Sequence, residues 1–324
     1  MNINNIKEEV RVLVTGGAGF VGSHTVNELL NNGYHVNVLD NLSTGLRSNL
    51  PNSNSSFRFI EGDILDPSAR KDSIEGCDAI IHLAAISSVP ACATSPELSR
   101  DVNVNATLAL YNDANINMVK KFIFAGSASI YGNIDINAIS EGYAKNPISS
   151  YGVDKLSAEH YLRVLSRNLF TSLTSFRFFN IYGPGQVVDS PYSGVISVFI
   201  DKFMNAKEMT IYGDGKQTRD FIYIHDVAKL LVSTVSNKND YTGIYNVGTG
   251  IGTSLLELIS IIESNKYGIA KVAYEVARIG DIHQSVADVS SLKSLIKSFA
   301  PTSIKDGITL LINHLHKERK EKEL

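Results

Sequence analysis

Val10-Arg11-Val12-Leu13-Val14-Thr15 runs straight into Gly16-Gly17-Ala18-Gly19-Phe20-Val21-Gly22, an order that admits few folds. The β-branched run reads as a buried first strand, and the stretch to about Leu30 as an amphipathic helix. Between them Gly16 allows a tight turn, Gly19 lets backbone approach a pyrophosphate, and Gly22 lets helix pack against strand. The helix N-terminus then offers N–H groups to phosphate oxygens. A second strand over 35–39 ends in Asp40, close to the roughly 20-residue offset of a ribose-binding acid. A carboxylate there accepts hydrogen bonds from both ribose hydroxyls and repels a 2′-phosphate, so NAD is favoured over NADP.

Apolar runs recur at 10–14, 36–39, 57–60, 79–83, 122–125 and 173–178, with helical stretches between them. That alternation predicts an α/β fold with a doubly wound parallel sheet. In such sheets ligands bind outside the carboxyl ends of the strands, so motifs at those ends converge on one crevice. Beyond Asn180 the rhythm breaks: Gly183-Pro184-Gly185 and Asp189-Ser190-Pro191-Tyr192 make a loop-rich stretch, and a helix begins near Ile224. No repeat or low-complexity linker separates the two textures.

Tyr151 and Lys155 stand four apart, on one face of a predicted helix. An ammonium beside a phenol favours the phenolate and draws the tyrosine pKa down toward the working pH. That is one way to build a base for an alcohol proton.

The spacing Gly-x-x-Gly-x-x-Gly, with Tyr-x-x-x-Lys downstream, resembles the extended short-chain dehydrogenase/reductase family. Further motifs narrow the resemblance: Asp40-Asn41-Leu42-Ser43-Thr44-Gly45, Gly62-Asp63-Ile64, His82-Leu83-Ala84-Ala85 and Ala125-Gly126-Ser127-Ala128-Ser129-Ile130-Tyr131-Gly132. Arg177-Phe178-Phe179-Asn180, Gln217-Thr218-Arg219-Asp220-Phe221 and Arg278-Ile279-Gly280-Asp281 follow. The match runs from about 10 to 295 and looks like the UDP-glucose / UDP-N-acetylglucosamine 4-epimerases. It implies a Rossmann-like NAD-binding domain over 1–179, to which 224–247 returns. The smaller mixed α/β substrate lobe would take 180–223 and 248–324.

The same resemblance implies roles. NAD would be held by Gly16, Gly19, Phe20, Val21, Asp40, Asn41, Ser43, Thr44, Gly45, Asp63, Ile64, Leu83, Ala84, Ala85, Tyr151 and Lys155. Tyr151 would take the proton of the sugar 4′-hydroxyl, with Lys155 keeping it anionic and reaching the nicotinamide ribose. Ser127 would shorten the proton path or steady the ketone oxygen, while Ser129 is a substitute whose hydroxyl can equally cap backbone. Arg219 and Arg278 match arginines that pair with a diphosphate, with Asn180 beside them. Asp281 matches a carboxylate on the uridine ribose, Tyr212 an aromatic near uracil, and Ser88 and Val195 further substrate contacts. Ile279 departs from a common proline. Ser285 stands where the family keeps a size gate, and so small a residue leaves room for a 2-acetamido group.

Other readings are separable. A 4,6-dehydratase needs an acid and a base directly after the catalytic serine, and Ala128-Ser129 supplies neither; the missing glutamate also counts against a UDP-glucuronate decarboxylase. A UDP-glucuronate 4-epimerase and a silent NAD-binding sensor remain open. A net charge of -3 with mixed signs argues against nucleic acid. Cys77 and Cys92 read as reduced thiols, and no Cys/His spacing suggests a metal. Residues 1–9 are polar, and no apolar run approaches the roughly 20 residues of a membrane span, so a cytoplasmic protein is expected. The family is typically a homodimer joined through two helices, here about 96–115 and 149–168. Leu108, Leu110, Leu156, Tyr161 and Leu165 on them fit an interface or a core face equally.

Overall fold

The structure, a computed structural model, describes residues 9–134, 136, 138–187, 194–236, 241–265, 270–277 and 282–323. The first half runs β1 (Arg11–Thr15), α1 (Phe20–Asn31), β2 (His35–Asp40), β3 (Phe57–Glu61), α2 (Pro67–Ile74) and β4 (Ala79–His82). Next come α3 (Val89–Thr94), α4 (Pro96–Arg100), a π turn (Asp101–Ala106), α5 (Thr107–Ile116), β5 (Lys121–Ser127), α6 (Ser150–Leu165) and β6 (Ser172–Phe178). The chain then makes β7 (Asn180–Tyr182), α7 (Val195–Met204), β8 (Glu208–Tyr212), β9 (Thr218–Tyr223), α8 (Ile224–Ser236) and β10 (Gly243–Val247). It closes with β11 (Gly252–Ser254), α9 (Leu255–Glu263), β12 (Lys271–Glu275), β13 (Gln284–Ser285), α10 (Ser290–Leu295) and α11 (Ile304–Glu323).

Seven strands form one parallel sheet in the order β10-β6-β5-β4-β1-β2-β3. From β1 the chain winds outward through β2 and β3, then returns to β4 and winds the other way. The expected doubly wound sheet is thus formed, with its switch point between β1 and β4, where a crevice opens beyond the strand ends. The strand interiors are β-branched and apolar because both faces are covered. Val12, Val14, Val38 and Ile81 face one buried cluster, and Leu13, Leu39, Ile80 and Phe122 the other. A four-stranded sheet sets β9 between β11 and β13, with β7 pairing β9 as well. Its apolar face packs against α7, α9 and α11 through Phe199, Phe203, Leu258, Ile262, Ile308 and Ile312.

Two local features depart from the sequence reading. The helix expected over 96–115 carries the π turn, and the amide of Asn103 within it accepts from Ile86 N (2.9 Å) and donates to Ile86 O (3.1 Å). The bulge thereby pins the loop that leaves β4. The unforeseen α3 forms because Ser88 caps it, accepting from Ala91 N at 3.2 Å, and proline occupies its first turn. Among the expected interface residues, Leu110 is fully buried in the core and Leu108 and Leu156 pack partly against core clusters, whereas Tyr161 and Leu165 are exposed. Both cysteines are buried free thiols. Among the described residues no helix is long and apolar enough to cross a membrane.

Candidate active site

A cleft of about 690 Å³ opens at the switch point. Gly16 sits there at φ 68°, and a Cβ on it would lie 2.7 Å from Ala84 N, so only glycine serves both the turn and the close approach of β4. A Cβ on Gly22 would fall 2.1 Å from Gly16 O, whereas one on Gly19 would meet only that same oxygen at 3.3 Å. Gly22 therefore serves packing, and Gly19 leaves open space over the start of α1. No side chain caps α1, which leaves its first-turn N–H groups aimed at the cleft without a side-chain acceptor.

Asp40 ends β2 with its carboxylate oriented by two backbone donors: Ala18 N to Oδ2 (2.9 Å) and Leu42 N to Oδ1 (2.8 Å). The second bond holds Leu42 in the left-handed region at φ 57°. Each oxygen keeps a lone pair for a diol. Asn41 Nδ2 donates to Asp63 Oδ2 at 2.9 Å, joining the ends of β2 and β3 along the rim. A long cleft with a glycine turn and bare helix start at its middle and an oriented carboxylate toward one end fits a dinucleotide.

At the other end stand Ser127, Tyr151 and Lys155. Ser149 caps α6 by accepting from Gly152 N, fixing where the helix starts and hence which face meets the sheet. Ser127, the last residue of β5, lines the cleft together with Tyr151 and draws the phenol's pKa down. The Ser127 Oγ accepts from Ser129 N at 3.2 Å. The backbone cap considered for Ser129 is thus performed by Ser127, and the buried Ser129 hydroxyl has no partner among the described residues.

The protonation balance differs from the sequence expectation. Burial pushes the Tyr151 phenol up to about 12, with Ser127 pulling the other way. Burial lowers Lys155 to about 8. The ammonium is engaged by backbone: Nζ donates to Ala125 O at 2.9 Å and lies over the Tyr151 ring, 5.9 Å from its centroid. In the protein alone desolvation outweighs the lysine, and the proton rests on tyrosine.

Beneath the triad His82 is buried between two threonines. Thr107 Oγ1 donates to Asn103 O, so it accepts from His82 Nε2 at 2.8 Å. Nδ1, 2.7 Å from Thr15 Oγ1, is then the acceptor, and Thr15 Oγ1 in turn accepts from Ala84 N. The neutral ring clamps the Gly16 turn to the end of β4.

The cleft gathers Gly16, Gly19, Phe20, Val21, Asp40, Asn41, Ser43, Thr44, Asp63, Ile64, Leu83, Ala84 and Ala85 with the triad. Gly45 lies outside its lining, tight against Ala18. Ser88, Asn180, Val195, Tyr212, Arg219 and Ser285 also lie outside it. Ser88 caps α3, Asn180 Nδ2 donates to Asp220 O (3.1 Å), and Val195 opens α7. Ser285 pairs in register with Arg219 across β13 and β9, while Gln217 Nε2 donates to the Tyr212 carbonyl (2.8 Å). Arg278 and Asp281 lie outside the described residues. Lining residues not anticipated include Gly126, Phe178 and Phe179 in the quoted motifs, which the strand-end rule would have marked, and Gln186, together with Leu98 and Val102 near the π turn, which no spacing signals. No cluster of three or more metal-binding side chains occurs among the described residues.

Residues 12–248 match the model of the NAD-dependent epimerase/dehydratase family. A UDP-N-acetylglucosamine 4-epimerase from Methanobrevibacter ruminantium, solved with UDP-N-acetylmuramic acid, superposes with a TM-score of 0.89 at 34% identity, covering 96% of this chain and 99% of that one. The UDP-glucose 4-epimerase of Thermotoga maritima, solved with UDP-glucose, gives 0.87 at 33% identity, covering 95% and 99%. A UDP-glucuronic acid 4-epimerase from Bacillus cereus, solved with UDP-glucuronic acid and NAD, gives 0.85 at 31%, covering 95% and 100%.

Proposed function

Because the chain belongs to the NAD-dependent epimerase/dehydratase family, we propose that it inverts C4 of a UDP-hexose through a 4-keto sugar, with NAD lying along the cleft. The observation that carries this reading is the meeting of Ser127, Tyr151 and Lys155 at one end of a cleft whose middle is the Gly16–Gly22 turn. Ala128 and Ser129 follow Ser127, so the acid and base needed to expel water are missing where a dehydratase requires them. Solved relatives named as UDP-N-acetylglucosamine and UDP-glucose 4-epimerases support the same reaction.

In this reading Asp40 accepts the adenosine ribose hydroxyls and the start of α1 takes the pyrophosphate. NAD held there would supply the acceptor for the C4 hydrogen and, when oxidised, positive charge. Tyr151 Oη takes the 4′-hydroxyl proton and returns it to the epimer. Ser127 holds the oxygen between them, and Lys155 steadies the phenolate. Arg219 and Arg278 pair with the diphosphate, Asn180 contacts the same side, Asp281 takes the uridine ribose, Tyr212 the uracil, and Ser88 and Val195 make further substrate contacts. The region 180–223 with 248–324 serves as the substrate lobe.

Proton NMR of the purified protein with UDP-N-acetylglucosamine or UDP-glucose, without added nicotinamide, tests this directly. The galacto epimer is expected; its absence even after NAD is supplied, with UDP-glucuronate turned over instead, would transfer the reading to a uronate epimerase. Tyr151→Phe should lower kcat by about 10²–10⁴-fold while NAD stays bound, and near-wild-type turnover would remove Tyr151 as the base.

Ser285 is the finer point. A half-buried serine beside Arg219 leaves volume that a bulky aromatic would fill. Ser285→Tyr should cut turnover of the acetamido sugar by at least about 10-fold and spare UDP-glucose. An unchanged ratio of the two rates would show that the gate lies elsewhere.

A further inference from the structure

Glu159 stands one turn beyond Lys155 on the face of α6 that carries Tyr151, and the chemistry above does not use it. It is 2% exposed, and so is Arg177 on β6. The two form a two-pronged pair, Nη2 to Oε1 at 2.6 Å and Nε to Oε2 at 3.0 Å. Ser175 Oγ donates to Oε2 as well, at 3.1 Å. Arg177 Nη1 completes its bonding with Tyr131 Oη (2.7 Å) and Glu141 O (3.0 Å), and Tyr131 Oη donates to Asn246 Oδ1 on β10.

Stability alone is a weak reason for such a pair, because desolvating two charges is costly and an apolar pair of similar volume often holds a fold as well. Direction and place are what it has in addition. In the β5–β6 register Arg177 lies opposite Gly126 and Phe178 opposite Ser127, so Arg177 is fixed to the strand end that presents the serine. Glu159 is fixed to the helix that presents the phenol. A planar fork on a carboxylate sets rotation as well as distance, and any hydrogen bond Ser127 makes to the phenol or its substrate weakens steeply when misaligned.

We propose that Glu159 and Arg177 are positioning residues that set the depth and rotation of α6 on the sheet, so that the Tyr151 phenol meets Ser127. The proposal rests on the reading of Tyr151 as the proton acceptor.

Glu159→Gln, studied in the NAD complex, removes the fork's full strength without changing volume. It should lower kcat by about 10²-fold, with KM for the UDP-sugar changed less than about twofold. The ¹³Cζ titration of Tyr151, assigned by its loss in Tyr151→Phe, should move to higher pH, since Ser127 draws the phenol's pKa down. Glu159→Leu combined with Arg177→Met restores packing without direction: the melting temperature should recover while kcat and the titration stay displaced. Arg177→Lys keeps the charge and loses the fork, so it should behave as Glu159→Gln does, and it decides the matter where the double variant fails to fold. Wild-type kcat and titration in Glu159→Gln or Arg177→Lys would overturn the proposal. So would their return together with the melting temperature in the double variant, which would leave the pair merely structural. A wild-type protein inactive on every UDP-sugar would instead remove the reaction reading, and the Tyr151 titration would still report on the positioning.

Discussion

His82 connects a single side chain to the behaviour of the protein with pH. Burial, with the Lys155 ammonium adding to it, lowers its pKa from the usual 6.5 to about 3. The hydrogen-bond assignment acts in the same direction: Nδ1 is an acceptor from Thr15, and a proton there would leave the threonine hydroxyl without its acceptor. The unfolded chain therefore binds this proton more readily than the folded one. Stability from His82 is complete above pH 6.5 and falls as the pH drops from 6.5 toward 3, by about 2 kcal/mol between pH 6.5 and 4.5. His24 and His225, whose burial also lowers their pKa values, act with the same sign. Urea denaturation at those two pH values should show a smaller loss for His82→Gln than for the wild type. Equal losses would mean that His82 is already charged in the folded protein, or that its proton is relayed elsewhere.

At the scale of elements, what was legible in the sequence was what a local period or a local turn determines. β1, the glycine turn and α1 are specified within 22 residues, from 10 to 31, and Asp40 follows from strand length alone. Tyr151 and Lys155 share a face because helix geometry makes four-residue neighbours meet, and that too is local. The sign of the tyrosine shift was not legible: it depends on how deeply β5, α3 and α6 enclose the phenol, a sum over segments distant in the chain. For the same reason nothing local marks Glu159, since its partner stands 18 residues away on a strand. The π turn at Asp101–Ala106 left no trace in the apolar spacing either, because Asn103 there answers to the backbone of Ile86 rather than to its own helix. The outer residues Asn180, Arg219 and Ser285 were reached through motif resemblance. The register that sets Ser285 beside Arg219 is a property of β9 and β13, which no run in the sequence announces.

For the whole molecule, the same helix that aims Tyr151 inward leaves an apolar stripe outside. Val153, Tyr161 and Val164 on α6 are 48%, 58% and 60% exposed, and Ser157 and His160 lie between them in helical sequence. A groove of about 460 Å³ runs along Leu156, Ser157, His160, Tyr161 and Val164, and a second of about 740 Å³ joins Val153 and Tyr161 to Pro96, Val104 and Ile148. A contiguous exposed apolar stripe of this kind on a globular protein is typically covered by a partner. A second copy related by a twofold axis would cover it with its own equivalent. The proposal is therefore a homodimer built on α6 and its neighbour α4, a layout in which each helix bearing Tyr151 would be held from outside by its twin. Sedimentation velocity should give twice the chain mass of 35.3 kDa. Tyr161→Asp with Val164→Asp should return it to a single chain mass, because two carboxylates facing their symmetry mates cannot be desolvated without partners. Neither residue lines the cofactor cleft, so NAD binding should survive in that variant. A double variant that still sediments as a dimer would place the contact on another surface.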